Sequence, residues 1–325
     1  MPTTSRSVNF AMCSEWSRSQ GLHPVGTAGH YNGFLLVEQP LPWPSDVASI
    51  DVLRPLSDLC AQHNYRLQAV VRPGGNQGGQ RRLISYRRAG TGWAAPLLRT
   101  EVVVGEADLE SATRALLEES PAAQQTVPSA AGSAGGPSAS GSAGGRPPAV
   151  LDLLVCTHGR RDACCGSRGA ELYLAVGERP GVAVWRTSHT GGHRFAPTLV
   201  ALPEASLWAY ADVELVEALL GRRPWAPAFW DRYRGCALVG GGPEQALEAA
   251  VAVEVGRGLL ADRRRVEGDG GGPRLRLVSG LSGTWEADVV PGRRVAQPDC
   301  RTDPTTARKA STEWVVRDLR QVGSA

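Results

Sequence analysis

Val150-Leu-Asp-Leu-Leu-Val-Cys156-Thr-His-Gly-Arg-Arg-Asp-Ala-Cys164-Cys165 reads as a short apolar strand that delivers a thiol onto a loop. Val150 to Val155 is apolar except at Asp152, as expected of a central strand buried on both faces of an α/β sheet. The carboxyl end of such a strand is where these sheets generally place ligands. The next strand, Val182 to Arg186, ends just before a second polar run, His189-Thr-Gly-Gly-His193. Two thiolate and two imidazole donors therefore fall within 38 residues. Thiolates select zinc, copper(I) or iron–sulfur clusters, and imidazole suits zinc and iron. Magnesium and calcium prefer oxygen ligands and are excluded.

The spacing narrows the choice. Eight residues separate Cys156 from Cys165, and three separate His189 from His193. Zinc knuckles usually place their cysteines two to four residues apart, so eight make a wide loop suited to something larger than one ion. Gly191-Gly192 disfavours a helix between the histidines and implies a loop whose backbone passes close to a ligand. The metalloprotease helix H-E-x-x-H is absent, since no glutamate stands here. C-x8-C followed by H-x-G-G-H resembles the sucrase/ferredoxin-like family. The surrounding words match too, Cys156-Thr-His-Gly-Arg-Arg-Asp162 and Ser188-His-Thr-Gly-Gly-His-Arg-Phe-Ala196, with weaker likeness at Cys13-Ser14, Gly26-Thr-Ala28 and Leu35-Leu-Val-Glu38. The resemblance covers roughly residues 10–225. It implies a thioredoxin-like ferredoxin module with a [2Fe–2S] cluster, Cys156 and Cys165 on one iron, His189 and His193 on the other.

Outward from the motif, the order strand, helix (Gly169 to Val176), strand, hairpin (Thr198 to Leu202 with Leu207 to Ala211) and helix (Val213 to Leu220) fits a thioredoxin-like sheet. We bound this module at 149–225. Residues 1–120 read as an N-terminal α/β unit of loosely similar order, which suggests an internal duplication. Its strands are Phe34 to Val37, Leu67 to Val71 and Arg82 to Arg87. A helical stretch from Asp46 to His63 is split near Pro55, and Ala107 to Glu119 forms a second helix. Pro121 to Pro148, rich in Ala, Gly, Ser and Pro with Arg146 its one charge, is expected to be a disordered linker (121–148). As a flexible coil it would span on the order of 30 Å. Residues 226–325 form a smaller α+β region. There Cys236 to Val239 reads as a strand, Glu244 to Leu260 as a helix, and Arg274 to Val278 with Thr284 to Val290 as a hairpin. Arg263-Arg-Arg265 reads as a solvated helix end, and Cys300 as a free surface thiol, with a fifth thiol near the cluster as its alternative. The fold class is α/β.

At 42% hydrophobic and 21% charged residues, the chain has a globular composition. Its net charge of +3 does not mark a nucleic-acid binder. Lys309 is the only lysine, so no P-loop exists. No apolar run reaches membrane-spanning length, no secretory signal is visible, and the seven cysteines fit ligand use in a reducing cytoplasm. Nucleic acid and membrane are not expected partners.

Among the remaining candidates, Cys13 and His30 stand out from His23, Cys60 and His63, which together fit no metal template. His158 reads as a hydrogen-bonding partner of the loop or of a cluster sulfur, with a ligand role as its alternative. Asp152, Asp162 and Glu171 lie near the motif, but sequence does not pair them across a glycosidic bond, and Gly280-Leu-Ser-Gly283 is not G-x-S-x-G. The reading is an electron-transfer protein serving redox donor and acceptor proteins, with no catalytic residues of its own. Each iron-bound histidine keeps an outer N–H, so redox is expected to couple to a proton. The alternatives are a structural or regulatory zinc protein, and a thiol–disulfide oxidoreductase using Cys164 and Cys165.

Overall fold

The alternation Phe34-Leu-Leu-Val37 places successive side chains on opposite faces of a strand, and both faces are buried. This strand, β1 (Gly33–Glu38), is covered along its length. The computed structural model describes residues 12–71, 79–118, 152–268, 272–301 and 306–324. The expected linker, 121–148, lies outside them. A short helix, α1 (Cys13–Ser19), precedes β1. After it come α2 (Arg54–Gln62), β2 (Tyr65–Val71), β3 (Gln80–Arg87), β4 (Leu98–Gly105) and α3 (Leu109–Glu118). Pro55 sits in the first turn of α2, where its missing N–H costs nothing. The helical stretch expected from Asp46 therefore breaks into a 3-10 turn, Val47–Ser49, and a helix.

The second stretch repeats the plan. It runs β5 (Asp152–Cys156), α4 (Ala163–Val176), β6 (Ala183–Thr187), β7 (Leu199–Leu202), β8 (Ser206–Trp208) and α5 (Val213–Leu219). A further strand, β9 (Tyr233–Cys236), adds to the edge of β8. All nine strands form one sheet in the order β4-β3-β1-β2-β6-β5-β7-β8-β9. Both stretches have the element order β-α-β-β-β-α and the same strand order, read from opposite edges inward. They join where β2 pairs antiparallel with β6. This is an α/β fold, and its symmetry agrees with the duplication suggested by the sequence.

The cores follow the strand alternation. Phe34 and Leu36 share a cluster with Leu154, Trp185 and Val200, common to both halves. Leu35 and Val37 face Leu56 and Leu116 of α2 and α3, whereas Leu153 and Val155 face Leu172 of α4 and Leu215 of α5. Asp152 is fully buried where the halves meet. It accepts hydrogen bonds from the Tyr86 hydroxyl, Arg99 Nε at 2.9 Å and Trp185 Nε1 at 2.5 Å.

Beyond β9, α6 (Gly242–Val255) and α7 (Gly258–Ala261) lead into an antiparallel sheet of β10 (Arg264–Gly268), β11 (Arg274–Ser279), β12 (Gly283–Ala296) and β13 (Ala310–Gly323). The single helix expected over 244–260 ends at Gly256, which adopts φ +84°. The strand expected over 236–239 forms three residues earlier. Arg263-Arg-Arg265 is not a solvated helix end, because Arg264 begins β10 and is buried. Its Nε donates to Glu248 at 2.6 Å, and the same carboxylate accepts from the Tyr233 hydroxyl and the Cys236 N–H.

Candidate metal centre

Parallel pairing sets Cys156 opposite Thr187 at the carboxyl ends of β5 and β6. His189 follows two residues later, so two separate loops converge. Donor atoms of Cys156, Cys165 and His189 lie within 4.8 Å of one another, with Cys165 Sγ 3.9 Å from His189 Nδ1. Both thiols are buried. Cys165 arrives through α4, which begins at Ala163, six residues earlier than the Gly169 start expected from sequence. Asp162 caps it, its carboxylate accepting the Cys164 N–H at 2.9 Å. The first turn, Ala-Cys-Cys-Gly, has no apolar periodicity, and its reason for being helical lies in the cap and the thiol contacts.

Gly169 lets α4 lie directly on β5, since an added Cβ would sit 1.8 Å from the Cys156 carbonyl oxygen. Gly169→Ala should therefore push the helix off the strand and separate Cys165 from Cys156. We expect roughly 1–3 kcal/mol of destabilisation, the usual cost of overpacking, together with weakened metal binding. Thermal melting and metal content measured on one preparation check this, and a variant with unchanged melting and metal load contradicts the packing argument.

Each site thiol is tuned by its neighbours. The hydrogen bond from Cys165 pulls the Cys156 thiol well down against the effect of burial, helped by His189. The same hydrogen bond, and burial, push Cys165 well up. His158 is not among the converging donors. Its Nδ1 accepts the backbone N–H of His189 at 3.2 Å, so the proton sits on Nε2 and is donated to the Pro44 carbonyl at 2.7 Å. Burial holds His158 below its ordinary value, in keeping with a neutral ring. His158 positions the His189 loop, as one of its two sequence readings has it.

Gly191 and Gly192 adopt φ +81° and +67°. The sequence expectation was close approach of a ligand, but what approaches is Arg234. A Cβ on Gly192 would lie 2.6 Å from the Arg234 guanidinium carbon. Arg234 donates to the carbonyls of Gly191 at 3.0 Å and Thr27 at 2.6 Å, and its burial draws it down to about 10. Past the glycines, His193 lies with its ring centroid 5.6 Å from that of His189. Its Nδ1 is 3.0 Å from Asp162 Oδ2 and 3.5 Å from Cys13 Sγ. Burial alone would raise Asp162, but the His193 hydrogen bond and charge, with the Cys300 N–H, hold its carboxyl well below the usual range.

Adjacent on the first turn of α4, Cys164 and Cys165 serve different groups. Cys164 meets Cys13 from α1 and Cys300 from the loop before β13, with Asp162 beside them. Cys300 is therefore not the free surface thiol expected from sequence. All seven cysteines are free, so Cys164 and Cys165 form no vicinal disulfide. Hydrogen bonds from Cys13 and Cys300 pull the Cys164 thiol down to about 3. No local signal marks this group, whose members are 136 to 287 positions apart. Of the other candidates, Cys60 is buried in the N-terminal core and pushed by that burial up to about 12, His30 and His63 line a separate cleft, and Glu171 is exposed on α4.

His189 and His193 open onto a cleft of about 810 Å³ whose walls include Arg161, Arg301, Arg308 and Lys309. Among the described residues, no helix is long and apolar enough to cross a membrane. The sequence model of the sucrase/ferredoxin-like family matches residues 24–223. No curated protein and no solved structure matches the chain.

Proposed function

The chain belongs to the sucrase/ferredoxin-like family, and from the donors it brings together we propose that it is an electron-transfer protein carrying one [2Fe–2S] cluster. Cys156 and Cys165 would hold one iron, His189 and His193 the other. The observation that carries this reading is the convergence of Cys156, Cys165 and His189 within 4.8 Å at the ends of two adjacent parallel strands. The donor set fits, since thiolates and imidazoles are the ligands such clusters take. His193 fits as well. Its Nδ1 faces the Asp162 carboxylate at 3.0 Å, which leaves Nε2 for a metal, and metal-bound histidines commonly donate their other N–H to a carboxylate.

When bound, such a cluster supplies one-electron exchange. Cys156 and Cys165 are buried and would hold their thiolates away from water. Imidazoles in place of two thiolates leave less negative charge, which favours taking up an electron. The Nδ1 of His193 and the outer nitrogen of His189 are the atoms at which a proton would accompany it. The arginine-lined cleft over the histidines is suited to acidic redox proteins as donor and acceptor. Anaerobic purification tests the proposal. A brown protein with two irons and two sulfides per chain is expected, and a colourless protein carrying only zinc at these residues would replace it with the structural-metal reading.

Arg234 gives a graded test. It is a buried cation whose charge acts on both Cys156 and Cys165. Removing a unit charge in surroundings of effective dielectric about 20 is worth on the order of 1–2 kcal/mol, or about 40–90 mV for one electron. Arg234→Gln should lower the midpoint potential by that order, because the added electron loses a compensating cation. Potentiometry of both proteins reads the difference, and an unchanged or raised potential contradicts it. In the wild type, the same titration across pH should show a window falling about 59 mV per unit.

A further inference from the structure

We propose that Cys13, Cys164 and Cys300, with the carboxylate of Asp162, bind a zinc ion at a second site distinct from that of Cys156 and Cys165. The three sulfurs form a closed triangle. Cys13 is 3.4 Å from Cys164, Cys164 is 3.0 Å from Cys300, and Cys300 is 3.4 Å from Cys13. Asp162 Oδ1 caps it at 3.8 Å from Cys13 and 3.4 Å from Cys300. Zinc bound at about 2.3 Å by tetrahedral thiolates separates their sulfurs by roughly 3.8 Å. The group therefore needs to open by under an ångström to admit the ion. Three thiolates and one carboxylate complete a closed, four-coordinate structural site.

Soft thiolates select zinc over magnesium or calcium. A disulfide would consume two of the sulfurs and leave the third without a role. Hydrophobic packing does not account for the meeting either, because besides the three thiols the cluster holds only Ala196 and the partly buried Met12. Cys13 and Cys164 are fully buried and Asp162 is nearly so. An outer shell already exists to fix the ligands. Ser14 Oγ donates to Cys164 Sγ at 3.3 Å, the N–H groups of Cys164 and Cys300 donate to Asp162 at 2.9 and 3.3 Å, and His193 holds its other side. Such partners orient ligands and govern affinity.

The site joins α1, the start of α4 and the loop that carries Asp299 and Arg301 into the wall of the histidine cleft. Zinc would fix that wall.

Elemental analysis of the full chain, purified anaerobically from zinc-supplemented cells, tests it. Wild type should hold about one zinc per chain. Cys300→Ser, on a half-buried loop, and Cys13→Ser should lose the zinc while keeping iron and visible spectrum. Cys156→Ser should do the reverse. Cobalt(II) added to zinc-stripped protein should give thiolate charge-transfer bands in wild type and Cys156→Ser, but not in Cys300→Ser. The proposal is overturned if wild type binds neither zinc nor cobalt. It is also overturned if both second-site variants keep zinc, or if they lose iron along with it, which would assign the thiols to the iron centre. A wild type with zinc but no iron would sink only the cluster reading.

Discussion

Cys156→Ser is expected to yield a folded protein without iron, and Cys165→Ser the same, whereas Cys164→Ser keeps most of its iron. Cys156 ends β5 with its side chain fully buried, so the sulfur is fixed by the sheet. Serine fills the space but offers a hydroxyl that does not ionise in place of a soft thiolate. No neighbouring thiol is free to substitute, since Cys164 already points to Cys13 and Cys300. Disturbing an outer-shell partner of a metal typically costs about 10–100-fold in affinity, so losing a ligand outright should cost at least the upper end of that range. Iron and acid-labile sulfide per chain, with circular dichroism to confirm folding, give the result. Should Cys164→Ser empty the centre while Cys165→Ser leaves it brown, the two adjacent cysteines have exchanged roles.

How far the site was legible depends on how local its cause is. Cys156, Cys165, His189 and His193 stand in two short runs that each follow a strand, which drew attention to these runs, while the choice of Cys165 over Cys164 came from the family resemblance. The convergence of Cys156, Cys165 and His189 follows from sequence order, because a β-α-β unit with parallel strands brings both loops to one end. The Cys13, Cys164 and Cys300 group is different. Its members meet only through the tertiary fold, and each looks like an isolated cysteine in the chain. The start of α4 was hidden for a related reason, since an Asp162 cap and thiol contacts stabilise a turn whose residues carry no apolar period. Arg264 reads as surface because it lies in a triplet of arginines, and its burial becomes tolerable through Glu248, 16 positions earlier, and the carbonyls of Leu260 and Asp262. The Gly191-Gly192 pair was read as a place where the backbone passes close to a ligand, and the sequence gives no sign that Arg234 packs against Gly192.

Asp152 shows how a carboxylate beside a reactive motif can belong wholly to the fold, and this gives the second large expected effect. In sequence it interrupts an apolar strand next to Cys156, which invites a catalytic reading. In the structure it is fully buried and serves three donors, from β3 (Tyr86), β4 (Arg99) and β6 (Trp185), that belong to both halves of the sheet. Burial and the adjacent Asp152 carboxylate push the Tyr86 hydroxyl up, so it remains a donor. Asp152→Ala would strand a buried hydroxyl, an indole N–H and a guanidinium at once. Breaking a buried charged pair from one side typically costs about 3–5 kcal/mol, and at roughly 2–4 °C per kcal/mol for a chain of this kind the melting temperature should fall by about 6–20 °C. Asp152→Asn should lose less, because its amide oxygen still accepts from one or two of the donors. Whatever fraction folds should keep the wild-type iron content and midpoint potential, since none of these contacts reaches the metal donors. Denaturant titration of the three proteins decides the matter. A loss below about 1 kcal/mol for Asp152→Ala, within the usual worth of a single hydrogen bond, would mean that the hub does not hold the two halves together, and a normal melt with a shifted potential would return Asp152 to the site.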